Sequence, residues 1–157
     1  MIRQWLMKML MKDSLVYGVG VVTALMHLYI NVLATFAELT ISALHFACFT
    51  CLTLLIKPIS QQKLSLWHKV VDISLAVLAI SAALYLICFE DALYARGSQF
   101  NLFDWLAAIS AIIVALEMVR RVTGWVIPLL TLVALSYVFW WGAYIEGVFS
   151  FPGLSLE

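Results

Sequence analysis

The chain has 157 residues, of which 65% are hydrophobic and only 11% charged, and its nine basic and nine acidic residues cancel. A soluble domain carries about 25% charged residues and about 45–50% apolar ones. The composition therefore excludes an ordinary soluble enzyme or a nucleic-acid-binding protein and points to an all-α integral membrane protein.

Residues 1–13 precede the first long apolar run. Ile2, Trp5, Leu6, Met9 and Leu10 share one helical face, and Lys8 and Lys12 lie on the other. That pattern reads as an amphipathic interfacial helix in contact with lipid. Residues 14–157 then form a helical membrane domain. Its apolar run is longer than that of a secretory signal and four more follow, so the first span is read as a retained anchor.

Five segments approach the roughly 20 residues that a bilayer crossing needs: Val16–Phe36, Thr40–Ile56, Val70–Phe89, Leu102–Val119 and Gly124–Tyr144. Helices are expected rather than barrel strands because the runs are continuous instead of alternating. Spans one and two are joined by a tight hairpin around Ala37-Glu38-Leu39. Span two stops at Lys57-Pro58, where proline cannot continue a helix. A polar loop, Ser60–Ser65, follows, with Trp67 and His68 at the interface and Asp72 opening span three. The longest connection is Glu90–Asp104, in which Asn101 or Asp104 is placed to cap span four. A single helix from Leu102 to Tyr144 would be about 64 Å long at 1.5 Å per residue, so a break is expected near Gly124. Pro128 falls one turn into span five as a candidate kink. Trp140, Trp141 and Tyr144 form an aromatic belt at its far end.

Charge placement gives the expected orientation. Arg3, Lys8, Lys12, Lys57, Lys63, Lys69, Arg120 and Arg121 fall on one side of a five-span arrangement, and only Arg96 on the other. The positive-inside rule places the eight in the cytoplasm, with the amino terminus inside and the carboxyl terminus outside.

Three groups of residues invite a chemical reading. Glu117 precedes Arg120 by three residues and Arg121 by four, so all three meet on one helix face. They read either as a coupling charge or as a clamp on the turn between spans four and five, and their position one turn from the interface favours the clamp. His27 and His45 lie within adjacent spans. Two such histidines can ligate haem, or hydrogen-bond between helices to a residue such as Asn31 or Thr50. Their depths differ by roughly 6 Å on the spans above. Cys48 and Cys51 form a C-x-x-C inside span two, where an apolar setting disfavours the thiolate that exchange requires. Those two and Cys88 read as packing residues. The sequence has no glycine-rich phosphate loop, nucleophile elbow or mid-membrane carboxylate pair, and no catalytic residue is assigned.

The stretch Asp104 to Pro152 resembles the small membrane domain that precedes the large permease domain in TRAP transporters of the TAXI type. The resemblance is carried by Asp104, then Leu116-Glu117-x-x-Arg120-Arg121-Val122-x-Gly124-Trp125, Pro128, Tyr137-x-Phe139 and Pro152-Gly153-Leu154. Leu44-His45-Phe46 and Leu54-Leu55-x-Lys57-Pro58 add a weaker likeness in span two, although Lys57 stands where the family would have tyrosine or a similar residue. The resemblance implies a bacterial inner-membrane secondary transporter taking up an organic anion on a sodium or proton gradient. It also implies a periplasmic TAXI-type binding protein and a large permease domain that holds the substrate and ion sites. This chain would be the static scaffold, with no cofactor and no substrate site of its own. Glu117, Arg120, Arg121, Gly124 and Trp125 would be its structural turn. A segment like Leu154-Ser155-Leu156-Glu157 leads into the large domain in relatives, so the permease is expected either as a separate polypeptide or as the continuation of a longer chain. The competing expectation is a small redox membrane protein that uses His27 and His45, or Cys48 and Cys51.

Overall fold

A computed structural model describes residues 2–33, 35–59 and 65–152, with side chains from residue 13 onward. Among these residues every regular element is a helix, and five helices are long and apolar enough to cross a membrane. They are α1 (Ile2–Val32), α2 (Glu38–Ile56), α3 (Leu66–Cys88), α5 (Leu102–Thr123) and α6 (Val126–Ser136). A π turn at Tyr137–Trp141 and a 3-10 turn at Gly142–Tyr144 extend α6 to full span length. A short α4 (Glu90–Arg96) lies in the connection from α3 to α5.

Helix α1 runs from Ile2 to Val32 without a break, so the amphipathic stretch and the first span belong to one continuous helix. The side chains that define its amphipathic face lie outside the described residues, as do Lys63 with most of the polar loop and the Leu154–Glu157 segment.

Helices α2, α3 and α5 pack together and make the core, whereas α1 rests on α2 and α6 on α5. Leu54 of α2, Leu75 and Ala79 of α3, and Val114 and Met118 of α5 form the buried cluster, with Phe46, Val71 and Ala76 against it. Ala79, Ala82 and Ala83 give α3 a small-residue face. Lipid tails are as apolar as leucine, so helices in a bilayer associate through close packing, and small residues let the backbones approach. Ala79 and Val114 are both fully enclosed. Ala79→Leu should therefore force α3 off its neighbours at a cost of about 1–3 kcal/mol. Unfolding in mixed micelles with increasing dodecyl sulfate measures this directly. An Ala79→Leu protein as stable as the parent would mean the packing is looser than described. On α1 and α6 most large apolar side chains face outward, as bilayer-facing helices require.

Several boundaries differ from expectation. Helix α3 begins at Leu66, four residues early, so Trp67, His68 and Lys69 lie on its first turn and not in a loop. Helix α1 ends at Val32, well before Phe36. Helix α5 continues to Thr123, which places Arg120 and Arg121 on its last turn instead of between spans. Basic residues suit that position because the final carbonyls of a helix carry partial negative charge.

The break between α5 and α6 falls at Gly124, as helix length demands. Pro128 occupies the first turn of α6. The first helical bond of α6 runs from the Leu129 N–H to the Trp125 carbonyl, so proline sits where no donor is needed and frees no backbone group. The irregular part of the span is the far end. There the backbone tightens around Gly142, where an added Cβ would meet the Tyr137 carbonyl at 2.7 Å. The chain then folds back: the Phe151 N–H donates to the Gly142 carbonyl at 3.1 Å, and the Tyr137 hydroxyl donates to the Phe149 carbonyl. Trp140 and Tyr144 are largely exposed at this end, as an aromatic belt would be.

Candidate functional site

The polar side chains of the core helices gather into two knots, one at each end of the bundle. At the first end Glu117, Arg120 and Arg121 meet as the helical spacing requires. Arg120 grips Glu117 with two bonds, Nε to Oε2 at 2.7 Å and Nη2 to Oε1 at 2.8 Å. Its guanidinium also lies 5.3 Å from the centre of the Trp125 ring, within cation–π range. Arg121 Nε donates to Glu117 Oε1 at 2.8 Å.

Arg121 then reaches further. Its Nη1 donates to Asp72 Oδ1 on α3 at 2.7 Å and to the Lys57 carbonyl at the end of α2 at 3.2 Å. Asp72 in turn accepts from the Ile59 N–H at 3.3 Å, which holds the chain just beyond Pro58. One guanidinium thus ties α2, α3 and α5 together. The two arginines differ sharply in setting, because the Arg121 side chain is 3% exposed and that of Arg120 is 29% exposed. The sequence foretold the Glu117 contacts but not Asp72, which lies 49 residues from Arg121.

Gly124 closes this end. Its N–H donates to the Arg120 carbonyl at 2.9 Å and its φ is 81° with ψ −164°. Glycine alone adopts such a conformation without strain of about 1–3 kcal/mol. Gly124→Ala should cost about that much, read as an earlier unfolding midpoint in the same micelle titration. An unchanged midpoint would show that the turn relaxes freely.

The second knot centres on Asp104, whose side chain is 3% exposed. Asn101 caps α5 by accepting from the Asp104 N–H at 2.9 Å, and Asp104 Oδ2 accepts from the Asn101 N–H at 2.8 Å, a complete capping box. Asp104 Oδ1 accepts from the Tyr85 hydroxyl on α3 and from Arg96 Nη2 at the end of α4, each at 2.7 Å. The Thr40 hydroxyl at the start of α2 donates to Glu90 at the start of α4. Arg96, alone on its side by charge counting, is thereby the partner of Asp104. Helix α4 itself was not anticipated, since seven residues carry too little pattern to separate helix from loop.

Between the knots lies a third polar contact. His27 Nε2 and His45 Nδ1 are 2.7 Å apart, and His27 Nδ1 lies 2.9 Å from the Thr23 carbonyl. The expected partners are thus replaced. Asn31 donates to the His27 backbone carbonyl, not to its ring, and Thr50 is buried without meeting either histidine. The facing nitrogens are too close for an axial ligand pair, which spans about 4 Å at about 2 Å per metal–nitrogen bond. Among the described residues no three His, Cys, Asp or Glu side chains converge in a way that could hold a metal ion. Cys48 and Cys51 are unpaired, half-buried, and line an apolar groove of about 790 Å³ against α1, beside Gly18, Val22 and Thr23.

Among the described residues no charged side chain lies at mid-depth in any span; each sits toward a span end, Asp13 at the start of the first. The two knots tie the helices to one another. The chain matches no known family model, no curated protein and no solved structure.

Proposed function

We propose that the chain is the small scaffold component of a TRAP-type transporter of the TAXI class. In this reading it lies in a bacterial inner membrane with its amino terminus in the cytoplasm. A large permease domain, fused or separate, carries the organic anion and the coupling ion, sodium or proton. A periplasmic binding protein delivers the anion.

The observation that carries the proposal is the Arg121 knot. Within the stretch that creates the resemblance, Glu117 to Trp125, Arg121 locks α5 to α2 and α3, and Glu117 holds Arg121 from its own helix. A moving transport domain needs a partner that does not move, and a three-helix core clamped at both ends is suited to that task. The depth of the charges points the same way, because an ion or substrate pathway through these helices would need ionisable groups within the membrane. The positive-inside distribution supports the orientation. The redox reading is disfavoured by the direct bond between the two histidines, which uses the nitrogens that would face a shared metal.

Uptake of labelled small carboxylates tests the proposal, in cells with and without the chain and under an imposed sodium or proton gradient. Gradient-driven uptake should disappear without the chain. Variants at Glu117 or Arg121 should lower the amount of assembled transporter and leave the concentration for half-maximal uptake unchanged. A selective loss of substrate affinity with assembly intact would overturn the scaffold role, and uptake that is indifferent to the chain would overturn the transporter reading.

A further inference from the structure

The histidine pair has a direction. The Thr23 carbonyl can only accept, so His27 Nδ1 carries a proton. In a neutral ring His27 Nε2 is then an acceptor, and the proton in the 2.7 Å contact belongs to His45 Nδ1. Neutral His45 therefore has a bare Nε2. Among the described residues no group bonds to it; the His45 ring stacks on Phe49 and meets the His27 ring edge-on. His45 lies about 10 Å along α2 from Glu38 at 1.5 Å per residue, well inside the span.

The surroundings of this nitrogen are shaped to receive something. His45 lines a groove of about 420 Å³ between α2 and α5, together with Ser42, Phe49, Thr53, Ala115 and Met118. Ser42, His45 and Phe49 are exposed along one side of α2. Lipid tails offer no donor, and an unmet acceptor at this depth is costly. Interhelical hydrogen bonds from polar side chains are the usual remedy.

We infer that this face of α2 docks a membrane-spanning helix of a partner protein, which places a hydrogen-bond donor, such as a serine, threonine or asparagine side chain, against His45 Nε2. The inference deepens the scaffold reading and rests on it in one respect, that a membrane-embedded partner exists. It assigns the α2–α5 groove as the meeting surface and leaves the outward faces of α1 and α6 to lipid.

The test places photo-reactive benzoylphenylalanine at Phe49, and as a control at Leu130 on α6, in the full chain within its native membrane. Adducts are identified by peptide sequencing. The Phe49 probe should capture a membrane-spanning segment of the permease that carries a donor side chain at matching depth. His45→Phe, which keeps an aromatic ring beside Phe49 but has no acceptor, should weaken association about three- to thirtyfold, the range of interhelical hydrogen bonds in lipid. His45→Gln, with an amide donor for His27 and a carbonyl acceptor for the partner, should restore it. The unfolding midpoint of each isolated variant separates docking from folding. Weakened association of His45→Phe with an unchanged midpoint supports the inference. A partner captured only from Leu130, only lipid captured from Phe49, or a partner that binds His45→Phe as tightly as the parent would overturn the docking site and leave the scaffold role standing. Absence of any permease partner from the parent's own adducts and purified complex would overturn both.

Discussion

Arg121→Ala is expected to destabilise the bundle by about 3–5 kcal/mol, the range for removing one partner of a buried ion pair. The side chain is almost fully enclosed, and its loss takes a donor from three acceptors at once: Glu117 on its own helix, Asp72 on α3 and the Lys57 carbonyl at the end of α2. Glu117 would retain Arg120, but Asp72 would be left with only the Ile59 N–H at 3.3 Å. Arg120→Ala is the control. Arg120 is partly exposed and bonds only to Glu117 beside its stacking on Trp125, so its loss should cost about 1 kcal/mol or less. Arg121→Lys should recover only part of the stability, because an ammonium lacks the planar fork that lets one side chain serve three acceptors. Reversible unfolding in mixed micelles gives all three values. Equal costs for Arg120→Ala and Arg121→Ala would contradict the picture of one central and one peripheral arginine.

Asp104→Ala is the second large effect. It removes the acceptor for Tyr85 and Arg96 and half of the capping box on α5. Among the described residues the Arg96 Nε is already enclosed without a partner, so loss of the carboxylate leaves that guanidinium with less still. Asp104→Asn keeps a carbonyl oxygen for one donor but turns an N–H₂ group toward the others. The expected order of thermal midpoints is parent, then Asp104→Asn, then Asp104→Ala. Asp91→Asn, at an exposed position on α4, should match the parent. A midpoint for Asp104→Ala equal to that of Asp91→Asn would mean the second knot does not hold the helices.

These two sites show what could be read from the sequence. Contacts between residues three or four apart follow from helical geometry alone, so Glu117 with Arg120 and Arg121 was legible, as was the cap at Asn101. The break at Gly124 followed from length, because no bilayer accommodates a helix of about 64 Å. The bonds between helices were not legible. Arg121 to Asp72, Tyr85 to Asp104 and His27 to His45 depend on how each helix is rotated about its axis, and spans that are apolar all round carry no periodicity to reveal it. The histidine pair shows how small errors in boundaries spread. With α1 ending at Val32 and α2 starting at Glu38, His27 and His45 lie five and seven residues from the shared turn, about 3 Å apart in depth. Boundaries a few residues off had doubled that difference and hidden the contact.

The ends of the helices drifted for a related reason. Polar and charged residues were expected to terminate spans, yet Lys69, Arg120 and Arg121 ride on helical turns. For the arginines, Glu117 and Asp72 supply the partners that water would otherwise provide, so the helix continues past the first charge. Lys69 sits instead on an exposed turn, where solvent or headgroups reach it.

The most direct test of the scaffold account is purification of the chain from its native membrane in mild detergent, followed by intact mass analysis of whatever accompanies it. The account predicts one large multi-span permease in fixed stoichiometry, either joined to the chain or bound to it, that is lost when Arg121 is replaced by alanine. A chain that emerges alone and fully folded, or that carries a coloured redox group in place of a partner, would contradict it.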